Sequence, residues 1–471
     1  QLPDFVAPNV KTLGIMLPYT PLHYLLVEKA EGFPDMLVMT SGNLSDEPIV
    51  YTNETAKSYL SEIADGFLFN DRDIETRLDD SVLMSVNESP YFLRRSRGYA
   101  PSPLKFQQEL GRVLATGAEL KNTFCLTRGN YAFLSHHIGD LDNLETLKAL
   151  EEGIPHYEKL FKVKPDAIAS DVHPDYLASR YASDRSCTEK LPLFLIQHHH
   201  AHLASVLADN RWESVEPVTG ICLDGTGLGT DGKIWGGEVL LGGYAHFERI
   251  FHLDYMPLPG GDAATLNPNR IAAAYLWKNG IEWSNDLPVI QSFDPHNLSL
   301  LHTQLERDIN CPQTSSMGRL FDAVAALIGL KQSVNYEAQA AIELENAIDP
   351  SVNDTYCFEI EKGLIHFGSL LNEIVTDLNN RKSIGYIAAK FHNAVRNLVL
   401  NVSTQVLQQT SSKIVALSGG VWQNRFLIQN SIDDLERSGF KVLVHRDVPA
   451  NDGGIALGQA IAANYMMKGR K

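Results

Sequence analysis

Apolar residues along this chain come mostly in short runs of four to six, each followed by a polar or glycine-rich break and then by apolar residues at helical spacing. Leu193 to Ile196 is such a run, and Leu203 to Asp209 continues it with a 3.6-residue period. The spacing predicts helices over 143–162, within 262–281 and 294–310, and over Ser315 to Gly329 with a serine N-cap. A further helix is expected from Tyr336, with Glu337 in its first turn, where the helix dipole favours an acid. Val113 to Ser135 reads as strand, polar turn, strand, Gly129-Asn130 hairpin, strand. Val218 to Leu241 repeats that layout around a glycine-rich turn and an Asp231-Gly232 hairpin. The repetition suggests an internally duplicated α/β unit whose two lobes would face each other across a nucleotide cleft.

Ahead of this lies a shorter unit. Thr12 to Leu17 and Leu37 to Thr40 read as strands, and Tyr24 to Ala30 as a helix after the Pro18/Pro21 turn. Pro101, Pro103 and polar Gln107 to Glu109 read as a linker. The expected organisation is therefore α/β throughout, with units over 1–105 and 111–471. The second divides into lobes of roughly 111–217 and 218–471.

Composition narrows the class. The chain has 471 residues, 44% hydrophobic and 21% charged, as in soluble globular proteins. Its formal charge of −17 argues against a nucleic-acid surface, which needs clustered Lys and Arg. No apolar run approaches a membrane span, so neither nucleic acid nor membrane is an expected partner. Cys125, Cys187, Cys222, Cys311 and Cys357 form no CxxC pair; reduced thiols and a cytoplasmic location are expected. Gln1 to Val6 reads as the interior of a longer protein.

The chemistry gathers at strand ends. His198 and His202 are four apart at a predicted helix start and share one face, half of a divalent-metal site. By spacing alone a capped helix start with histidines satisfied by backbone groups is the commoner reading, and the strand end leading into the helix strengthens the metal one. Asp224 ends a strand at the turn carrying Gly225, Thr226 and Gly227, where successive N–H groups can cradle an anion. Ile414 to Ser418 leads into Gly419 and Gly420, and Asp452 precedes another Gly-Gly turn. Asp322 interrupts an apolar helix, where it can accept from a sugar hydroxyl or cap a neighbour. In the shorter unit, Ser41, Asn43 and Ser45 suit a phosphate or carboxyl group, or a plain turn. Arg94, Arg95 and Arg97 suit an anion site or a solvated edge strand.

In combination these motifs resemble a family. The set His198/His202, Ser418-Gly-Gly-Val421 with Asn424, and Asp452-Gly-Gly454 resembles the actin/Hsp70-like (ASKHA) carbamoyltransferase domain of TsaD-type enzymes. Gly117 to Leu126, Ser135 to Leu141 and Gln197 to His202 are similar to the HypF family of [NiFe]-hydrogenase maturation. Thr40 to Asn43 and Arg95 to Gly98 resemble the later part of a YrdC-like adenylating domain. The resemblance implies that carbamoyl phosphate and ATP, with Mg(II), yield carbamoyl adenylate. The carbamoyl group would then pass to the C-terminal cysteine of a partner, HypE. It places His198, His202, Asp224 and Asp452 on Fe(II) or Zn(II), with His199 and His200 in support. Gly318, Asp322, Glu337, Gly419, Gly420 and Asn424 fall at nucleoside-binding positions. Lys121 and Arg270 are implied as anion contacts in catalysis, and Ser41, Asn43, Arg95 and Arg97 as part of the adenylating pocket. The transferase half is expected to be complete; the adenylating half is expected to need residues outside this sequence.

Three other readings compete. A small-molecule O-carbamoyltransferase shares both domain types, but the domain order and Glu119 to Cys125 disfavour it. A zincin would need Glu after the first histidine, where His199 stands. A non-enzymatic actin/Hsp70-like module would not need the histidine pair.

Overall fold

The computed structural model describes residues 6–34, 36–44 and 47–469; Ser45 and Gln1 to Phe5 of the segments read above lie outside them. The chain forms two compact units, one ending at Asp79 and one beginning at Asp80.

In the first unit two short helices form, α1 (Pro21–Leu26) and α2 (Asn53–Tyr59), capped by Thr20 and Thr52 hydroxyls. The strands expected at 12–17 and 37–40 are absent. Strand structure requires a ladder partner, and no sheet forms among this unit's described residues. Ile15 and Val38 are accordingly 81% and 78% exposed.

The second unit opens with a hairpin, β1 (Val82–Val86) and β2 (Ser89–Arg94). Two larger sheets follow. One joins β3 (Leu104–Leu110), β4 (Val113–Ala115), β5 (Cys125–Leu134), β6 (Ala167–Asp171) and β7 (Leu193–Ile196) in the order β3-β5-β4-β6-β7. The other contains β8 (Val218–Leu223), β9 (Gly237–Gly242), β10 (Phe247–Leu253), β13 (Glu359–Glu361), β14 (Leu364–His366), β15 (Ile414–Ser418) and β16 (Lys441–Leu443). Its order is β13-β14-β10-β9-β8-β15-β16. A small ladder of β11 (Met256–Pro257) and β12 (Gln313–Thr314) stands apart.

The segment read as a linker is β3. Its burial alternates, with Leu104, Phe106 and Leu110 inside; of the polar residues that suggested a linker, Gln107 and Glu109 are the outer face of a period-two strand, while Gln108 faces in and donates to Tyr465 Oη at 3.0 Å. Element β5 doubles back on itself: Ser135 N donates to Phe124 O at 2.8 Å, impossible for ten residues running straight at about 3.3 Å each. Gly129, at φ +57°, makes the reversal. Its first half pairs with β4 and its second with β3. With the two arms of β5 counted separately, the run second arm, first arm, β4, β6, β7 shares two antiparallel joins and then two parallel ones with β10-β9-β8-β15-β16, and β3 is an additional edge strand. A duplication is thus present as topology, but 218–241 holds two strands instead of the expected three, and the third of the second lobe is β10.

Helices cover the sheets. Asn143 caps α3 (Leu144–Phe161), which buries Ala149, Leu150, Ile154 and Tyr157, and α4 (Leu177–Glu189) follows β6. The Gln197 side chain caps α5 (His198–Asp209) by accepting from His200 N. Every residue of α5 is buried, because the helix Ile455–Gly469 crosses it closely. A Cβ on Gly458 would lie 1.9 Å from Ala201 O; only glycine allows that approach. One apolar core fills the space around these two helices and a larger one lies under the second sheet. No helix among the described residues is long and apolar enough to cross a membrane.

Candidate metal centre

Three chain reversals bring the cluster together. Strand β7 ends at Ile196, and α5 begins with His198 on its first turn and His202 one turn on. Strand β8 ends at Leu223, and Asp224 is the next residue. Asp452 opens a 3-10 turn, Asp452–Gly454, that leads into the 455–469 helix. One ligand atom from each of these four residues lies within 4.8 Å of all the others. His202 Nε2 is 2.7 Å from Asp224 Oδ2 and 3.5 Å from Asp452 Oδ1; His198 Nε2 is 3.7 Å from both carboxylates.

The outer atoms of these residues are engaged by the surrounding protein and the inner ones are not. Asp224 Oδ1 accepts from Gly225 N at 2.8 Å and Gly420 N at 3.2 Å. His198 Nδ1 donates to Asp171 Oδ2 at 2.8 Å, and His202 Nδ1 lies 3.2 Å from Ser418 Oγ. Asp224 Oδ2, His198 Nε2 and His202 Nε2 are buried with no partner outside the cluster, the 2.7 Å approach of His202 Nε2 to Asp224 Oδ2 lying within it. Buried polar atoms without partners are costly, and here three that find none outside the cluster converge on one point. Two imidazole nitrogens and two carboxylate oxygens suit a borderline divalent ion such as Fe(II) or Zn(II). Electrostatics agree. Burial opposes the charged form of each histidine, but Asp452 and Asp171 raise His198 well above its usual range and Asp224 raises His202. Burial would raise Asp224, but His202 and His198 hold it well below the usual carboxylate range. The pocket is built for positive charge.

The glycine turns set this geometry. Gly419 adopts φ +110°, and a Cβ there would sit 2.2 Å from Leu223 O. Gly227 passes under the imidazoles, where a Cβ would come within 2.6 Å of both His198 and His199. The helix Met317–Leu327 is pinned to the same turn: Ser316 Oγ donates to Asp224 O at 2.7 Å, and Gly318 N to the same oxygen at 3.0 Å. Thr226 is exposed at the turn's outer side.

Around the cluster, Lys121 pairs through Nζ with Glu337. Burial pulls the Lys121 ammonium down, but Glu337 outweighs it and the net shift is upward. Glu337 precedes its helix, Gln339–Asn346, instead of lying in its first turn. Ala338 stands between them at φ +59°, so the helix cannot extend back through it. Asp322 is 3.0 Å from Arg319 Nη2 and is raised to about 6 by burial. Asn424 caps the helix Arg425–Arg437 and donates to His392 Nε2 at 3.0 Å. His199 meets Gln197 Nε2 at 3.3 Å, and His200 Nε2 lies 2.9 Å from Gly243 O.

Other candidates stand apart from this group. Arg270 donates to Pro259 O and, at 2.7 Å, to Gln304 Oε1. Arg95 is 5% exposed and donates to Tyr99 O and Ser102 O, while Arg97 pairs with Asp80 at 2.9 Å. In the first unit Ser41 Oγ donates to Asn43 Oδ1, within one turn. The expected set omitted Asp171, the last residue of β6. Its sequence signal was available, since an acid ending a parallel strand is the same feature that singled out Asp224. It also omitted His392, which no motif marks.

A duplicated α/β body with a nitrogen–oxygen cluster between glycine turns places the chain among α/β proteins that carry a candidate metal centre at their strand ends. The particular family follows from comparison with known proteins. Residues 220–459 match the model described as carbamoyltransferase, Kae1-like domain, second subdomain. Residues 108–209 match the HypF Kae1-like domain, and 1–96 the Sua5/YciO/YrdC family, described as telomere recombination. The carbamoyltransferase HypF of Synechocystis sp. is 40% identical over 98% of this chain and 61% of its own length. A HypF homolog of Cupriavidus necator is 35% identical over 74% of this chain and 91% of its own. A crystal structure of full-length HypF in a phosphate- and nucleotide-bound form superposes with TM-score 0.93 at 44% identity, covering 98% of this chain and 72% of that one. That of T. kodakarensis HypF gives 0.90 at 34% identity, over 99% and 62%. The chain belongs to the HypF family, with the YrdC-like and Kae1-like (ASKHA-type) parts in the expected order. It spans about 61% of the length of the first full-length relatives.

Proposed function

We propose that this chain carries the transferase centre of a HypF-type carbamoyltransferase. It would move the carbamoyl group of carbamoyl adenylate, formed from carbamoyl phosphate and ATP, to the C-terminal cysteine of HypE in [NiFe]-hydrogenase maturation. The observation that carries this reading is the convergence of His198, His202, Asp224 and Asp452, with three buried inner atoms that find no partner outside the cluster. In the transfer, the cysteine sulfur bonds the carbamoyl carbon, the bond from that carbon to the phosphate oxygen breaks, and AMP leaves. The thiol proton departs to solvent or to the phosphate.

These four residues would hold a divalent ion, which would supply a positive centre for the phosphate or the carbamoyl oxygen. The protein's own groups do the positioning. The N–H groups of the Gly225–Gly227 and Gly419–Gly420 turns would orient the phosphate, with Mg(II) accompanying ATP. Asp322, Glu337 and Asn424 would accept from and donate to the nucleoside, with Gly318 leaving room beside the turn. Lys121 would exchange Glu337 for the anion, and Arg270 would act through the 259–261 loop against which it packs. Ser41, Asn43, Arg95 and Arg97 are assigned to the adenylating part. Supplied carbamoyl adenylate and a HypE acceptor test the reading: wild type should carbamoylate the acceptor cysteine and His202→Ala should not. Equal rates would overturn it.

A further inference from the structure

Behind His202, a line of buried side chains leads away from the cluster. His202 Nδ1 lies 3.2 Å from Ser418 Oγ, Ser418 Oγ lies 2.9 Å from His445 Nε2, and His445 Nδ1 faces Asp209 Oδ2 at 3.5 Å. None of the four is more than 3% exposed. They come from three separate places in the chain: the second and last turns of α5, the end of β15, and the segment after β16. Of these residues only His202 belongs to the ligand set.

The far end gives the line its direction. Asp209 accepts backbone N–H groups from Arg446 at 2.7 Å, Asp447 at 3.1 Å and Val448 at 3.3 Å. His445 Nδ1 makes no hydrogen bond of its own, but the Asp209 carboxylate 3.5 Å away is the charged group that faces it, which favours the His445 proton on Nδ1 and leaves Nε2 to accept. The Ser418 hydroxyl then donates to His445 Nε2, and its lone pair takes the proton of His202 Nδ1. His202 Nε2, 2.7 Å from Asp224 Oδ2, is the nitrogen whose lone pair a cation in the cluster would take. We propose that Asp209, His445 and Ser418 are positioning residues that lock His202 in the Nδ1–H tautomer and so present Nε2 to a divalent cation. This rests on the metal reading above. His198 achieves the same end with a single carboxylate, Asp171. At His202 the relay keeps the carboxylate two side chains away from a pocket that already holds Asp224 and Asp452.

The hydroxyl decides the outcome. Without an acceptor at position 445, Ser418 turns to donate to His202 Nδ1, since its other neighbour, Ala450 O, is 3.5 Å away. The ring proton then moves to Nε2 and blocks the cation. The test measures Co(II) dissociation constants by chelator competition, and the Co(II) visible spectrum, on the full chain. His445→Phe removes the acceptor and should weaken binding about 10- to 100-fold and change the spectrum. Ser418→Ala, which deletes one oxygen, should do the same and serves if phenylalanine does not pack. His445→Gln keeps an acceptor for Ser418 and an N–H toward Asp209, and should stay close to wild type. Wild-type affinity in both His445→Phe and Ser418→Ala overturns the proposal. Equal losses in His445→Gln and His445→Phe also overturn it, because packing alone would then explain them. Wild type that binds no Co(II) overturns the metal reading itself, and the relay with it.

Discussion

Replacing Asp322 with Asn should make the protein more stable and a poorer nucleotide binder at once. Asp322 is 3% exposed on the helix Met317–Leu327, and burial lifts its carboxyl from 3.8 to about 6 despite Arg319 at 3.0 Å. At about 1.4 kcal/mol per tenfold change in proton affinity, the charged carboxylate costs the folded state about 3 kcal/mol. The sign follows from proton linkage. Because the folded form holds this proton more tightly, the cost is absent below 3.8, grows as pH rises to about 6, and is complete above it. Asparagine is neutral at every pH and keeps an oxygen for Arg319. Urea unfolding of wild type and Asp322→Asn should therefore differ by about 3 kcal/mol in favour of the variant at pH 7, and the difference should vanish near pH 4. AMP affinity measured calorimetrically should fall roughly tenfold or more, as expected for losing a hydrogen bond to a charged acceptor. A variant less stable than wild type at pH 7, or a pH-independent difference, would refute the reasoning.

Asp171→Asn should weaken Zn(II) or Co(II) binding about 10- to 100-fold with the fold retained, read by chelator competition, because it removes the carboxylate orienting His198. Gly227→Ala puts a methyl within 2.6 Å of the His198 and His199 rings. Metal content by elemental analysis should drop while far-UV circular dichroism is unchanged. Gly458→Ala forces α5 away from the 455–469 helix, with a Cβ 1.9 Å from Ala201 O. Its urea midpoint should fall by the equivalent of about 3 kcal/mol, and an unchanged midpoint would show that the helices separate freely.

Much was legible in the linear pattern where local physics suffices. His198 and His202 share a helix face by spacing alone, and Ser418-Gly-Gly and Asp452-Gly-Gly mark reversals that only glycine makes cheaply. The hairpin signals were only partly right: Gly129, at φ +57°, reverses β5 as expected, but Gly232, at φ +75°, lies in the connection from β8 to β9, with no strand between the glycine-rich turn and Asp231. Strand expectations at 12–17 and 37–40 failed because alternation predicts strand only when a neighbour supplies the ladder. Polar Gln107 to Glu109 hid β3 because its outer face is polar and its inner face carries Gln108, and Ala338 broke the helix expected to include Glu337.

The residue types of the candidate centre, their places at strand ends and the family they belong to were determined by the sequence alone. Only the tertiary structure decided that four ligand atoms from three distant segments meet within 4.8 Å. It alone supplied the groups behind them: Asp171 on His198, and Ser418, His445 and Asp209 on His202. The physical reason is range. Caps, turns and periodicity act over a few residues and leave a trace in the chain. A hydrogen bond from position 202 to position 418 exists only once two sheets have folded around one helix.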